Sequence, residues 1–89
     1  MTLGVDSFVA ERITIYPNPT QHTVNMQWDI AMQVEAVTLY GLDGKMILSE
    51  TISEDSNTSV LDLSVATNGI YFIKITTQKG TFTEKIIKK

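Results

Sequence analysis

An all-β fold of two packed antiparallel sheets is the architecture this sequence predicts, and three observations carry that expectation. Apolar and polar residues alternate along most of the chain, polar turn formers recur at near-regular intervals, and helical spacing is nearly absent. With 89 residues, 43% hydrophobic and 19% charged, the chain supplies one domain with enough apolar material for a core. A domain of this size buries only about 60–65% of the surface its unfolded chain exposes. There is no cysteine, so disulfides, thiol nucleophiles and thiolate metal sites are excluded together, and the core must hold the domain alone.

Residues 1–12 read as a linker or leader, only partly ordered, because MTLGVDSFVA shows no sustained alternation. The run ITIYPNPT then starts a strand that must end at Tyr16. Neither Pro17 nor Pro19 can donate to a β-ladder, and Pro19 pushes Asn18 toward extended geometry. The Asn18 side chain can bond nearby backbone and make a compact turn. In TVNMQWD, Val24, Met26 and Trp28 face a core while Asn25, Gln27 and Asp29 face water. Val37 and Leu39 share the inner face of the next strand, and Asp43-Gly44 marks a hairpin whose return strand covers 45–51. Glu54, Asp55, Ser56 and Asn57 form a loop. SVLDLS supplies a strand with Leu61 and Leu63 inward and Asp62 outward, followed by a turn at Asn68-Gly69. From Gly69 onward come a long strand with Tyr71, Ile73 and Ile75 facing the core, a hairpin at Gly80, and a closing strand. About seven short strands of this kind close their apolar faces as a small antiparallel immunoglobulin-like β-sandwich, without the cysteine-tryptophan-cysteine pattern of antibody domains.

The net charge of −3 conceals an asymmetry. Residues 1–73 hold Arg12 and Lys45 against nine acids, whereas residues 74–89 hold five lysines against Glu84. A basic end on an acidic body suits a solvated edge strand that resists pairing. It does not suit nucleic acid: the body repels phosphate, and the lysines are not interleaved with stacking aromatics. No apolar run reaches the roughly 18–20 residues of a membrane helix, and no export signal precedes residue 20. The single histidine, His22, excludes a relay of two imidazoles and reads as a solvent-facing loop residue. No nucleophile elbow occurs, and Glu54-Asp55 lacks the ligand spacing of a calcium loop. No catalytic, metal or cofactor residue is assigned, and the domain is expected to be no enzyme.

Four blocks in fixed order, IYPNPT, VTLYGLDGKMI, LDLSVATNGIYFIKI and KIIKK, resemble the type A C-terminal sorting domain of type IX secretion system substrates. The resemblance covers 13–89, nearly the whole chain. It implies a non-catalytic C-terminal secretion signal on a larger exported protein of a Gram-negative bacterium. The N-terminal passenger would pass through the periplasm and reach the cell surface or medium through an outer-membrane translocon, with a sortase-like peptidase then cutting within or before residues 1–12. On this reading the chain is an excised fragment that needs no cofactor and inserts in no membrane itself. Matched by motif are Tyr16, Pro17, Asn18 and Pro19 in the first block, and Gly41, Asp43, Gly44 and Lys45 in the second. Asp62, Gly69, Tyr71 and Lys74 match the third, and Lys85, Ile86, Ile87, Lys88 and Lys89 the last. The basic last strand is expected to carry direct recognition, offering unpaired edge groups and charge. The competing expectation is an adhesion or carbohydrate-binding β-sandwich, with Tyr16, Trp28 or Tyr40 exposed as a sugar platform.

Overall fold

The computed structural model describes residues 13–89. The expected leader over 1–12 lies outside the described residues. Seven strands follow in order: β1 (Ile13–Tyr16), β2 (Thr23–Trp28), β3 (Val34–Gly41), β4 (Met46–Thr51), β5 (Thr58–Asp62), β6 (Gly69–Thr77) and β7 (Gly80–Lys88). They form a three-stranded sheet in the order β1-β2-β5 and a four-stranded sheet in the order β4-β3-β6-β7, with every pairing antiparallel. The expected sandwich of about seven strands is what the described residues form.

Alternation decides which side chains meet. Val24, Met26 and Trp28 of β2 and Leu61 of β5 face inward from one sheet, while Val37, Leu39, Ile73, Ile75 and Ile86 face them from the other. These side chains are buried together, and burial of each large aliphatic group contributes about 1.5–3 kcal/mol. Trp28 is only 4% exposed, and its indole N–H donates to the Ser56 carbonyl at 3.2 Å, so it is a core residue with its polar tip satisfied. Trp28 thus lies in the core, as its alternation predicts, and not on the sugar platform of the competing expectation.

The turns show why the strands reverse where they do. Between β3 and β4, Gly44 takes φ 85° and donates to the Gly41 carbonyl at 3.0 Å, while Gly41 N–H reaches the Lys45 carbonyl at 2.9 Å. Leu42, Asp43 and Gly44 thus make a three-residue loop that needs a left-handed residue at its end. The turn expected at Asn68-Gly69 sits earlier, closed by Ala66 N–H on the Leu63 carbonyl at 3.0 Å. Its aspartate, Asp62, lies just ahead of it and accepts from Ser64 N–H at 2.8 Å, a local bond that tightens the chain after β5. A short 3-10 turn at Ile30–Met32, capped by Asp29 accepting from Ala31 N–H at 2.9 Å, was not anticipated from periodicity because three residues carry no period.

Tyr71, buried near the start of β6, donates its hydroxyl to the Thr67 carbonyl four residues upstream, at 2.5 Å. That is the tyrosine corner of immunoglobulin-like sandwiches, which fixes the crossing from one sheet to the other. Tyr71→Phe removes the donor and leaves the Thr67 carbonyl without it. The variant is expected to keep its sheet content and lose about 1–3 kcal/mol in urea unfolding, and wild-type stability would remove the corner's structural role.

Candidate functional site

The residues singled out by motif lie far apart in sequence, yet register places nearly all of them at one end of the sandwich. β1 ends there at Tyr16, β2 begins there at Thr23, and β3 ends at Gly41, which pairs with Tyr71 near the start of β6. Gly69 pairs with Lys88, so β7 also finishes at this end. Asp62 stands opposite Thr23, and the 41–45 hairpin and the 63–68 connection flank an open groove of about 390 Å³. Lys74 is the exception, three residues beyond Tyr71 along β6 and opposite Thr38.

The first and last blocks are bonded to each other directly. Asn18 donates its side-chain N–H to the Lys85 carbonyl at 2.9 Å and accepts from Ile87 N–H on its carbonyl oxygen at 3.0 Å. The amide side chain thereby mimics a peptide unit of a neighbouring strand. Two residues on, Thr20 N–H donates to the Ile87 carbonyl at 2.9 Å and Lys89 N–H to the Thr20 carbonyl at 2.8 Å, a parallel bridge. The chain therefore leaves the three-stranded sheet at Tyr16, crosses on Pro17-Asn18-Pro19, and covers the outer edge of the four-stranded sheet. Both X-Pro bonds in this crossing, before Pro17 and before Pro19, are cis. Pro17, Pro19 and Thr20 also line, with His22 and Lys89, a shallow depression of about 510 Å³.

The terminal block divides by strand parity. Ile86 is fully buried, and Lys88, on the same face, is only 8% exposed. The Lys88 ammonium donates to the Ala66 carbonyl at 3.0 Å and lies 3.5 Å from the Asn68 amide oxygen, so it anchors the connection between β5 and β6. Lys85 and Lys89 are exposed and Ile87 is half-buried. The unpaired edge groups expected of this segment are already engaged: the Lys85 carbonyl, both Ile87 groups and Lys89 N–H all bond Asn18 or Thr20. Among the described residues, the backbone of Thr81 and Thr83, earlier on β7, is bonded only within the four-stranded sheet.

Sequence reasoning missed this division, although parity with the apolar Ile86 was the available signal that Lys88 points inward. The proline block, read above as a turn, and the tail, read as the recognition strand, are two halves of one contact. The Tyr16 ring is 43% exposed, and its carbonyl accepts from the Asn25 side chain at 3.3 Å. Asp43 accepts from Lys45 N–H at 3.1 Å, a role confined to the hairpin. Hydrogen bonds from Ser64 N–H and hydroxyl, with the charge of His22 adding less, hold the Asp62 carboxyl below the ordinary aspartate range. Its contribution to stability is present above that range and fades as pH falls through the depressed value. Among the described residues, no three His, Cys, Asp or Glu side chains come together as a metal site, and no helix is long and apolar enough to cross a membrane.

Asn18→Ala removes both side-chain bonds to β7 while sparing the core. Hydrogen exchange followed by NMR should show the Ile87 amide losing protection selectively, with a global loss of about 1–2 kcal/mol. Asn18→Asp keeps an acceptor for Ile87 N–H but sets a carboxylate against the Lys85 carbonyl, so it should be no better than alanine. Unchanged Ile87 exchange in both would remove the latch.

Comparison with known proteins adds one match. The profile of a family described as secretion system C-terminal sorting domain covers residues 14–89. No individual curated protein matches the chain.

Proposed function

The chain belongs to the C-terminal sorting domain family of type IX secretion system substrates, and on that premise we propose that it addresses an N-terminal passenger to the outer-membrane translocon. The family gives a C-terminal sorting signal with a non-catalytic role and export to the surface or medium. The finer steps proposed are transit through the periplasm, recognition of the folded domain by the translocon, and removal by a sortase-like peptidase within or before residues 1–12. The observation that carries it is the gathering of the motif-matched residues of all four blocks, Lys74 apart, at one end of the sandwich. Residues used only for packing need not converge, whereas a surface to be read by a partner must.

The roles then separate. Pro17, Asn18 and Pro19 shape the crossing, Tyr71 and Lys88 hold the 63–68 connection, and Ile86 closes the core. Lys85 and Lys89 remain exposed to meet a partner. Deleting residues 86–89 would therefore remove core and latch together with any signal, so point changes on the exposed lysines are the sharper instrument. The adhesion or carbohydrate-binding reading keeps Tyr16 as an exposed aromatic and loses Trp28 to the core.

The test is a reporter normally retained in the periplasm, fused ahead of the full chain and expressed in a host with type IX machinery. The reporter is expected at the cell surface or in the medium, shortened by loss of the folded domain, and in the periplasm of a translocon-deficient host. Periplasmic retention in both hosts, with the domain folded, would reject the reading. Glycan binding by the isolated domain without export would favour the adhesion module.

A further inference from the structure

The two outer faces of the sandwich differ in chemistry. On the three-stranded sheet, the register puts Thr14 beside Gln27, Tyr16 beside Asn25, and Asn25 beside Val60. That face is mostly amide and hydroxyl. On the four-stranded sheet, the row nearest the motif-bearing end pairs Ile70 with Ile87, and the next row runs Met46, Tyr40, Phe72, Lys85. The row beyond runs Ser49, Thr38, Lys74, Thr83. Met46 is 63% exposed and Ile70 39%, while Tyr40, Phe72 and Ile87 are half-buried, so apolar atoms form a connected patch rather than isolated points. Lys74 and Lys85 border it, and none of the three rows contains a carboxylate, although the chain as a whole is acidic.

We propose that this outer face of the four-stranded sheet is where the domain docks on a protein of the export apparatus whose own contact face is acidic around an apolar centre. The proposal rests on the export reading above and names the surface it uses. Charge complementarity selects the occupant. A second copy would offer Lys74 and Lys85 no carboxylate to pair with, since none of the three rows contains one, and would bring four lysines into one interface. An anionic bilayer is a poorer fit, because two lysines offset little of the repulsion from a net charge of −3. An acidic protein face meets both features, because it covers apolar area at the centre and pairs with the lysines at the rim. Continuity with the motif-bearing end lets one partner touch Ile87, Lys85 and the hairpin residue Leu42, itself 69% exposed, in a single contact.

The test uses the reporter fusion with the full chain. Lys74→Glu with Lys85→Glu reverses the rim, and Met46→Ser with Ile70→Ser removes exposed apolar area without touching the core. Lys79→Glu, in the β6–β7 turn at the opposite end, controls for added negative charge. Folding of each variant is read from the buried Trp28 emission, and a charge-reversal variant that fails this check is replaced by Lys74→Gln with Lys85→Gln. Export is expected to fall at least tenfold for both variant pairs, to stay at wild-type level for Lys79→Glu, and to be retained by Lys74→Arg with Lys85→Arg. If wild type is exported and both folded pairs are exported equally well, the docking face is overturned while the export reading stands. If the wild-type fusion itself is not exported, the export reading fails first. If the arginine pair loses export as glutamate does, positive charge is not what the partner reads and the proposal falls. Cosedimentation of the domain with phosphatidylglycerol vesicles, lost in both variant pairs, would assign the face to a lipid surface and overturn the protein partner.

Discussion

Coverage of the outer edge of β7 is the constraint on which the rest of the structure depends. A sandwich of two open sheets has edges, and an uncovered edge strand is a template for wrong pairing. Here the covering segment is the chain's own crossing, in which Asn18 and Thr20 satisfy three backbone groups of β7 and the N–H of Lys89 just beyond it. Two prolines suit that task, since they end pairing with β2 and remove donors that the crossing could not satisfy. On the opposite side, the Ser59 hydroxyl of β5 donates to the Glu50 carboxylate of β4, so polar bonds join the two sheets along both flanks.

This edge coverage changes what a basic terminal strand means. Of the three lysines in the last block, Lys88 is spent inward on neutral carbonyl oxygens, where its ammonium holds the connection that Tyr71 also holds. A lysine with such partners is tolerated in a nearly buried position because its donors are satisfied and its long stem packs against apolar neighbours. Positive charge displayed to solvent by residues 74–89 therefore comes from Lys79, Lys85 and Lys89, with Lys74 half-buried on the outer face.

Much of this fold was legible in the sequence because period-two alternation is a local signal. Val24, Met26 and Trp28, or Tyr71, Ile73 and Ile75, announce their buried face without knowledge of any partner. The hairpin at Asp43-Gly44 was legible for the same reason, since a left-handed residue has a local requirement. Sheet order was not legible, because the partner of β2 is β5 rather than β3 and nothing in either strand specifies that. The pairing of Asn18 with residues 67 and 69 positions later was equally hidden: an asparagine between prolines has an adequate local explanation in a turn. The blocks could be recognised one by one, but their meeting at one end is a property of topology alone.

The latch between Asn18 and β7 closes nearly the longest loop this domain contains. Loop-closure entropy makes such a contact costlier than a local turn by roughly 2 kcal/mol, more than a single exposed hydrogen bond returns. It can persist only after the two sheets have already brought its halves together. The surface formed by the crossing and the tail is consequently absent from the unfolded chain, although every letter of the motifs is present there. A receptor that touches both halves at once reads conformation rather than text, and an unfolded or half-folded molecule is invisible to it.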